Sequence, residues 1–253
     1  MYAEERQQAI AQTVVRRGRV SVTELAATFE VTTETVRRDL SVLERSGHLR
    51  RVHGGAVPTG SVIETQLAER DESHAEEKER IAKAAVALLP PVATSLLLDA
   101  GSTVGRFAAH LPPDRRLVVF THALPVAHRL GGAAHVDLHL IPGRVRTTTL
   151  AAVGADTVSA VERLRVELAF LGTNGLSLRH GLSTPDSDEA AAKRAMVAAA
   201  DRVVVLADAD KLDKEHTVRF AALEDVDVLV TDDRIEDAVV TALERAGLEV
   251  VVA

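Results

Sequence analysis

The chain has 253 residues, 46% of them apolar, with no cysteine and a formal net charge of −7. That length supports one small domain beside one sizeable core. The lack of cysteine excludes disulfides and thiolate metal sites, and no apolar run approaches the roughly 20 residues of a membrane-spanning helix.

The charge is uneven. Residues 1–57 carry 9 basic and 7 acidic side chains, whereas the remainder carries 21 and 30. A nucleic-acid partner is therefore compatible with the N-terminal part alone, and its small basic excess predicts binding as a dimer or higher homo-oligomer. Met1-Tyr2-Ala3-Glu4-Glu5-Arg6 lacks a signal-peptide core, so a soluble, cytoplasmic protein is expected.

Glu4–Arg17 reads as a first helix, with Ile10 and Val14 at i and i+4. After Gly18, Val20 and Val22 alternate with Arg19 and Ser21 as a very short strand. Ser21-Val22-Thr23-Glu24 matches a capping box and opens a helix through Leu25, Ala26 and Phe29. Glu30 and Val31 then lead to Thr32, whose hydroxyl can accept the orphan N–H of Thr35 and start a third helix. Val36, Leu40 and Leu43 form its apolar seam; Glu34, Arg38, Ser41 and Arg45 lie opposite, with Thr35 and Arg37 on the flanks.

A single charged helix face is most simply a solvated surface. Two helices joined this way, however, make a helix–turn–helix, whose second helix enters the major groove. Thr32, Thr33, Glu34, Thr35, Arg37, Arg38, Ser41 and Arg45 are accordingly candidate DNA contacts. Gly47 is the expected end of the reading helix. Leu49–Val52 follows as a strand and His53-Gly54-Gly55-Ala56 as a tight turn, together a wing carrying Arg50 and Arg51 toward phosphates, with His53 either a further phosphate contact or a structural turn residue. This winged helix–turn–helix spans residues 1–57.

Residues 58–74, with Pro58, Gly60 and Ser61, read as a linker. Glu76–Leu89 then reads as a helix, stopped by Pro90-Pro91. Beyond it, seven apolar runs (Ser95–Asp99, Leu117–Thr121, His135–Ile141, Val166–Leu171, Arg202–Ala207, Val226–Thr231 and Glu249–Val252) alternate with helical stretches. Helices are expected at Thr103–His110, Ala123–Leu130, Gly154–Arg163, Asp188–Ala200 and Ile235–Ala246. Continuous Val/Leu runs imply strands buried on both faces, hence an α/β domain over residues 75–253 with a mainly parallel sheet flanked by helices.

Ligands of such sheets sit beyond the carboxyl ends of the strands. Those ends hold Asp99-Ala100-Gly101-Ser102-Thr103, Thr121-His122, Gly172-Thr173-Asn174-Gly175, the stretch to Asp186, and Asp208-Ala209-Asp210-Lys211. The Gly101-Ser102-Thr103 loop is either a plain helix cap or an anion cradle of hydroxyls and N–H groups. Combined, these ends look like a pocket for a small phosphorylated polyol, with Asp99, Gly101, Ser102, Thr103, Thr121, His122, Gly172, Thr173, Asn174, Asp186 and Lys211 as candidate contacts. His122 is equally a packing residue. The ten histidines lack metal-ligand spacing, and no metal or cofactor is expected.

Thr35-Val36-Arg37-Arg38-Asp39-Leu40 followed by Arg51-Val52-His53-Gly54-Gly55-Ala56 resembles the signature of the DeoR family of bacterial transcriptional regulators. Asp99–Thr103, Ala169–Gly172, Lys193–Met196 and Asp208–Lys211 are similar to that family's sensor domain, so the resemblance covers nearly the whole chain. It implies a fold shared with ribose-5-phosphate isomerase A, glucosamine-6-phosphate isomerase and coenzyme A transferases. It also implies operator DNA as partner, repression of a sugar-metabolism operon, and release by a sugar phosphate held near Ser102, Thr103 and Lys211. The N-terminus is like those of family members that control fructose or related sugars, which makes fructose 1-phosphate a candidate effector. The chain departs from the family at His122, where Asn is common, and at Pro142-Gly143, where Gly-Gly is common. Two alternatives stay open: an isomerase-like enzyme with an appended DNA-binding module, and a constitutive DNA-binding protein whose α/β domain only oligomerises. The absence of an Asp/Glu/His motif at isomerase spacing argues against the enzyme.

Overall fold

The computed structural model describes residues 3–17, 20–46, 48–52, 54–57, 67–92 and 94–253. Two compact units divide the chain, Met1–Glu64 and Thr65–Ala253.

In the first unit, α1 (Ala3–Arg17) is followed by β1 (Val20–Ser21), α2 (Val22–Thr28), α3 (Thr33–Arg45), β2 (Arg50–Val52) and β3 (Gly55–Val57). The strands form an antiparallel sheet in the order β1-β3-β2. Gly55 is required there, because a Cβ would sit 2.0 Å from the Val20 carbonyl oxygen. The core is small: Ile10, Val14, Val20, Leu25, Val36, Leu40, Leu43, Leu49 and Ala56 are buried together. The expected capping box is present, Ser21 Oγ accepting from Glu24 N at 3.1 Å while Glu24 Oε2 accepts from Ser21 N at 3.0 Å. Glu30 adopts a left-handed φ of 52° between the two helices. The expected helix end at Gly47 lies outside the described residues.

The second unit begins with α4 (Leu67–Glu72) and α5 (Ala75–Val86). The residues from Leu67 on, read from sequence as linker, are therefore helical and belong to this unit; Arg106 Nε binds Asp71 Oδ1 at 3.0 Å and holds α4 in place. The order then runs β4 (Thr94–Leu98), α6 (Ser102–Ala109), β5 (Leu117–Thr121), α7 (Leu124–Leu130), β6 (Val136–Leu140), β7 (Arg144–Arg146) and β8 (Ala151–Val153). It continues with α8 (Ala155–Val161), β9 (Val166–Gly172), β10 (Gly175–Ser177), β11 (Gly181–Thr184), α9 (Ser187–Ala199) and β12 (Ala200–Leu206). The chain closes with β13 (Val218–Ala221), β14 (Val228–Thr231), α10 (Asp237–Arg245) and β15 (Glu249–Val252).

Seven strands form one parallel sheet in the order β15-β14-β12-β9-β4-β5-β6. These are the seven apolar runs of the sequence. Alternate residues of each run face opposite layers: Leu96, Leu98, Phe170, Val204 and Val230 pack with α5, α6 and α7 residues such as Ile81 and Phe107. Leu97, Ala169, Leu171, Val205 and Leu229 pack on the other face against Val161, Met196 and Leu243. Burial on both faces is why the runs of the five inner strands are largely continuous and apolar. The short antiparallel pairs β7–β8 and β10–β11–β13 have no counterpart among the sequence-predicted elements; strands of three or four residues carry too little periodicity to register.

The strand order reverses between β4 and β9, which are adjacent in the sheet although four strands separate β4 from β9 in the chain. The loops leaving the two strands diverge at that switch point and open a crevice.

Candidate functional site

On the first unit, Thr32 caps α3, its hydroxyl accepting from Thr35 N at 3.1 Å and lying 2.9 Å from Thr35 Oγ1. The buried stripe of α3 is Val36, Leu40 and Leu43, joined by Asp39. Asp39 is 3% exposed and accepts from Arg6 Nε at 2.7 Å and Gln7 Nε2 at 2.9 Å, which fixes α1 across α3. That role was not read from sequence; a lone Asp beside an apolar seam was its only signal.

The opposite face is exposed and polar. Glu34 pairs with Arg37 at 3.5 Å, and Ser41 Oγ donates to the Arg37 carbonyl. Arg45 Nε donates to the Ser41 carbonyl at 3.2 Å. From the wing, the Arg51 guanidinium donates to Ser41 Oγ at 2.8 Å and its backbone N–H to Glu44 Oε1 at 2.9 Å, tying β2 to α3. Arg38 is exposed and has no hydrogen bond or ion pair among the described residues. Thr33 is also exposed. His53 and the Arg50 side chain lie outside the described residues.

On the second unit, the crevice at the switch point is lined by the ends of β4, β9 and β12, the start of α6, and α4, α5 and α9. Its floor is a buried ionic cluster. Asp99, fully buried, accepts at Oδ2 from Gly172 N at 2.9 Å and from Lys193 Nζ, and its Oδ1 lies 3.0 Å from His122 Nε2. Lys193 also donates to the Gly172 carbonyl at 2.9 Å and sits 5.3 Å above the Phe220 ring. His122 Nδ1 donates to the Ala152 carbonyl at 2.7 Å. Burial pushes the Asp99 carboxyl up, but the Lys193 ammonium and the His122 ring outweigh it and hold the group below the ordinary carboxylate range.

Above this floor stands the start of α6. Gly101 occupies the N-cap at φ 142°, where it has no side chain to cap the helix. The first N–H groups, from Ser102 onward, have no partner within the helix and border the cleft. No side chain caps α6, and Asp99 turns toward Gly172 and Lys193 instead.

The opposite wall is cationic. Lys78 is 4% exposed and donates to the carbonyls of Arg70 and of Ser73, the latter at 2.6 Å. Burial lowers its ammonium to about 8, opposed by Asp208. Burial also lowers Lys211, again opposed by Asp208; its ammonium has no hydrogen bond among the described residues. Asp208, 2% exposed, keeps Oδ1 without a hydrogen-bond partner in the cleft.

Asp99, Gly101, Ser102, Thr103, His122, Gly172, Thr173, Asn174 and Lys211, all anticipated from sequence, converge on this cleft. Two others do not. Thr121 is buried beneath it, donating to the Leu98 carbonyl and accepting from Ala123 N. Asp186 caps α9, accepting from Asp188 N and Glu189 N, and pairs with Arg146 at 3.1 Å. Strand-end position put both on the candidate surface, but short hydroxyl and carboxylate side chains satisfied local N–H groups first.

Arg70, Lys78, Thr149, Glu189 and Lys193 line the cleft without having been anticipated as contacts. Glu189 and Lys193 offered a signal, being charged residues at i and i+4 in an alanine-rich helix, but that spacing ordinarily marks a solvated pair. Here each turns to a different partner, Glu189 to Arg146 at 3.1 Å and Lys193 to Asp99.

A DeoR-like helix-turn-helix domain matches residues 6–61, and the DeoR C terminal sensor domain matches residues 73–233. The HTH-type transcriptional regulator GlpR of Haloferax volcanii is 36% identical over 99% of this chain and 98% of its own length. GolR of Listeria innocua, also an HTH-type transcriptional regulator, is 32% identical over 100% of both chains. The glycerol-3-phosphate regulon repressor of Haemophilus influenzae is 30% identical over 97% of this chain and 95% of its own. Both halves of the chain are thus matched in register with the two units of the fold, and the protein belongs to the DeoR family of transcriptional regulators.

Proposed function

We propose that the protein represses a sugar-metabolism operon and is released from its operator by a phosphorylated sugar or polyol bound in the switch-point cleft. The observation that carries this reading is the juxtaposition of an uncapped helix start at Gly101–Thr103 with Lys78 and Lys211, a lining suited to phosphate. Asp208, with a free carboxylate oxygen, suits a ligand hydroxyl. Asp99, His122 and Lys193 already satisfy one another and act as the rigid floor that positions Gly172 and the α6 loop. Thr32, Thr33, Glu34, Thr35, Arg37, Arg38, Ser41 and Arg45, with the wing residues Arg50, Arg51 and His53, are the proposed operator contacts. The effector shifts the balance between DNA-binding and released arrangements of a homo-oligomer, which requires unequal affinity for the two.

The name of the Haemophilus relative supports a small phosphorylated polyol as the ligand class, and fructose 1-phosphate is the first candidate to try. The test is operator binding titrated with a panel of sugar phosphates, including fructose 1-phosphate and glycerol 3-phosphate; no release by any member would favour a sensor unit that only oligomerises. In the same assay Lys211→Ala should leave operator affinity within about two-fold and shift the effector titration at least about ten-fold to higher concentration, as for a lost charge-assisted hydrogen bond. A normal titration with Lys211→Ala would remove that residue from the site.

A pH dependence follows from Lys78. Its ammonium loses the proton near 8, while a sugar phosphate is already dianionic above about 7. Effector affinity should therefore fall as pH rises from 7 to 9, with proton uptake on binding detectable by calorimetry in buffers of different ionisation enthalpy. Affinity independent of pH over that range would place Lys78 outside the ligand's reach.

A further inference from the structure

The turn between β7 and β8 supplies a polar group that the phosphate-binding elements do not use. Thr149 is 3% exposed and lines the cleft, yet its hydroxyl has no hydrogen-bond partner among the described residues. A buried hydroxyl left this way destabilises the free protein, so a ligand that satisfies it gains on binding. Backbone groups on both sides are engaged. The Thr148 carbonyl accepts from Leu67 N at 3.0 Å, and Leu67 is the first residue of α4. Leu150, at a left-handed φ of 53°, donates to the Arg146 carbonyl at 2.8 Å and accepts from Leu124 N at 2.9 Å. A leucine at that φ is strained and persists only where its surroundings fix it.

We propose that Thr149 is an effector-contact residue that reads a hydroxyl of the bound sugar or polyol, and that the contact reports occupancy to α4 through Thr148. The inference rests on the cleft being the effector site. The geometry makes one turn both sensor and link: Thr149 lines the cleft while the preceding carbonyl holds the start of α4. The other end of α4 is held from within the same cleft, since Lys78 donates to the Arg70 and Ser73 carbonyls. Ligand contacts at Thr149 and Lys78 would thus act on both ends of one helix.

Thr149→Val removes the hydroxyl at nearly constant shape, and Thr149→Ser retains it. Calorimetry on the full chain with inorganic phosphate, fructose 1-phosphate and glycerol 3-phosphate supplies the test. Valine should leave the affinity for inorganic phosphate unchanged and weaken the best-binding organic phosphate about ten-fold, with serine restoring most of it. The melting temperature of the free valine variant should equal or exceed that of the parent, since no internal hydrogen bond is lost. Amide exchange of residues 67–73 should slow on ligand addition in the parent and respond less in the valine variant. Equal loss for phosphate and organic phosphates, or unchanged affinity for all, overturns the role of Thr149 while leaving the cleft reading intact. Binding of no phosphate compound at all overturns both.

Discussion

Replacing Lys193 with methionine should destabilise the sensor unit by about 3–5 kcal/mol, the usual cost of removing one member of a buried ion pair. For a unit of this size that is roughly a 10 °C fall in melting temperature. The cause is Asp99. It is fully buried, and with Lys193 gone its carboxylate keeps only the Gly172 N–H and the His122 ring as partners among the described residues. Methionine matches the aliphatic stem of lysine, so cavity formation contributes little and the loss reports the unpaired charge. A methionine variant that melts with the parent but no longer responds to effector would instead make Lys193 a ligand contact.

The double variant Asp99→Asn/Lys193→Met should recover much of that loss, because asparagine can still accept from Gly172 N–H and offer its amide to His122 Nε2. The sign of the pH dependence gives an independent check. Asp99 is held below its unfolded value, so its contribution is complete above an unfolded carboxylate pKa of about 3.9 and is lost as pH falls below that. The parent should therefore lose stability on acidification through this range more steeply than the double variant. Parallel acid limbs would show that the pair adds nothing to the folded state.

The elements most legible in the sequence are those whose pattern is long and whose cause is local. Val36, Leu40 and Leu43 repeat at helical spacing because α3 has one buried face, and Thr32 marks its start because the first N–H groups need an acceptor. The five inner strands of the main sheet are largely continuous apolar runs because both faces are covered. The cleft was legible only in part. Gly101, Ser102, Thr103 and Lys211 follow strands and could be found from that position, whereas Thr149 and Arg70 reach the cleft through a hairpin with three-residue strands and a six-residue helix. Neither element is long enough to be read from periodicity. Asp99 was identified as a site residue, but its engagement with a lysine 94 positions away is a property of packing, which no local pattern carries.

The largest effect on DNA binding is expected from Arg38→Ala. Of the arginines on the exposed face of α3 and the adjoining wing whose side chains are described, Arg37 is paired with Glu34, Arg45 bonds the Ser41 carbonyl, and Arg51 bonds the Ser41 hydroxyl. Arg38 alone among them makes no hydrogen bond or ion pair with the described residues, and it lies on the face opposite the Val36–Leu40–Leu43 seam. An extended, unengaged guanidinium on a reading helix is suited to bidentate contact with guanine, worth about 1–3 kcal/mol of discrimination. On a duplex selected from a random pool by the parent protein, alanine should weaken binding about ten- to a hundred-fold and relax the preference at one or two base pairs. On random-sequence duplex the loss should be smaller and should disappear into the salt dependence, since only a phosphate-type charge is removed there. Arg51→Ala should behave differently, loosening the wing from α3 and weakening both duplexes alike. If Arg38→Ala also weakens both equally, Arg38 is a phosphate contact, and base reading passes to Thr33, Glu34 and Thr35 at the capped start of the helix.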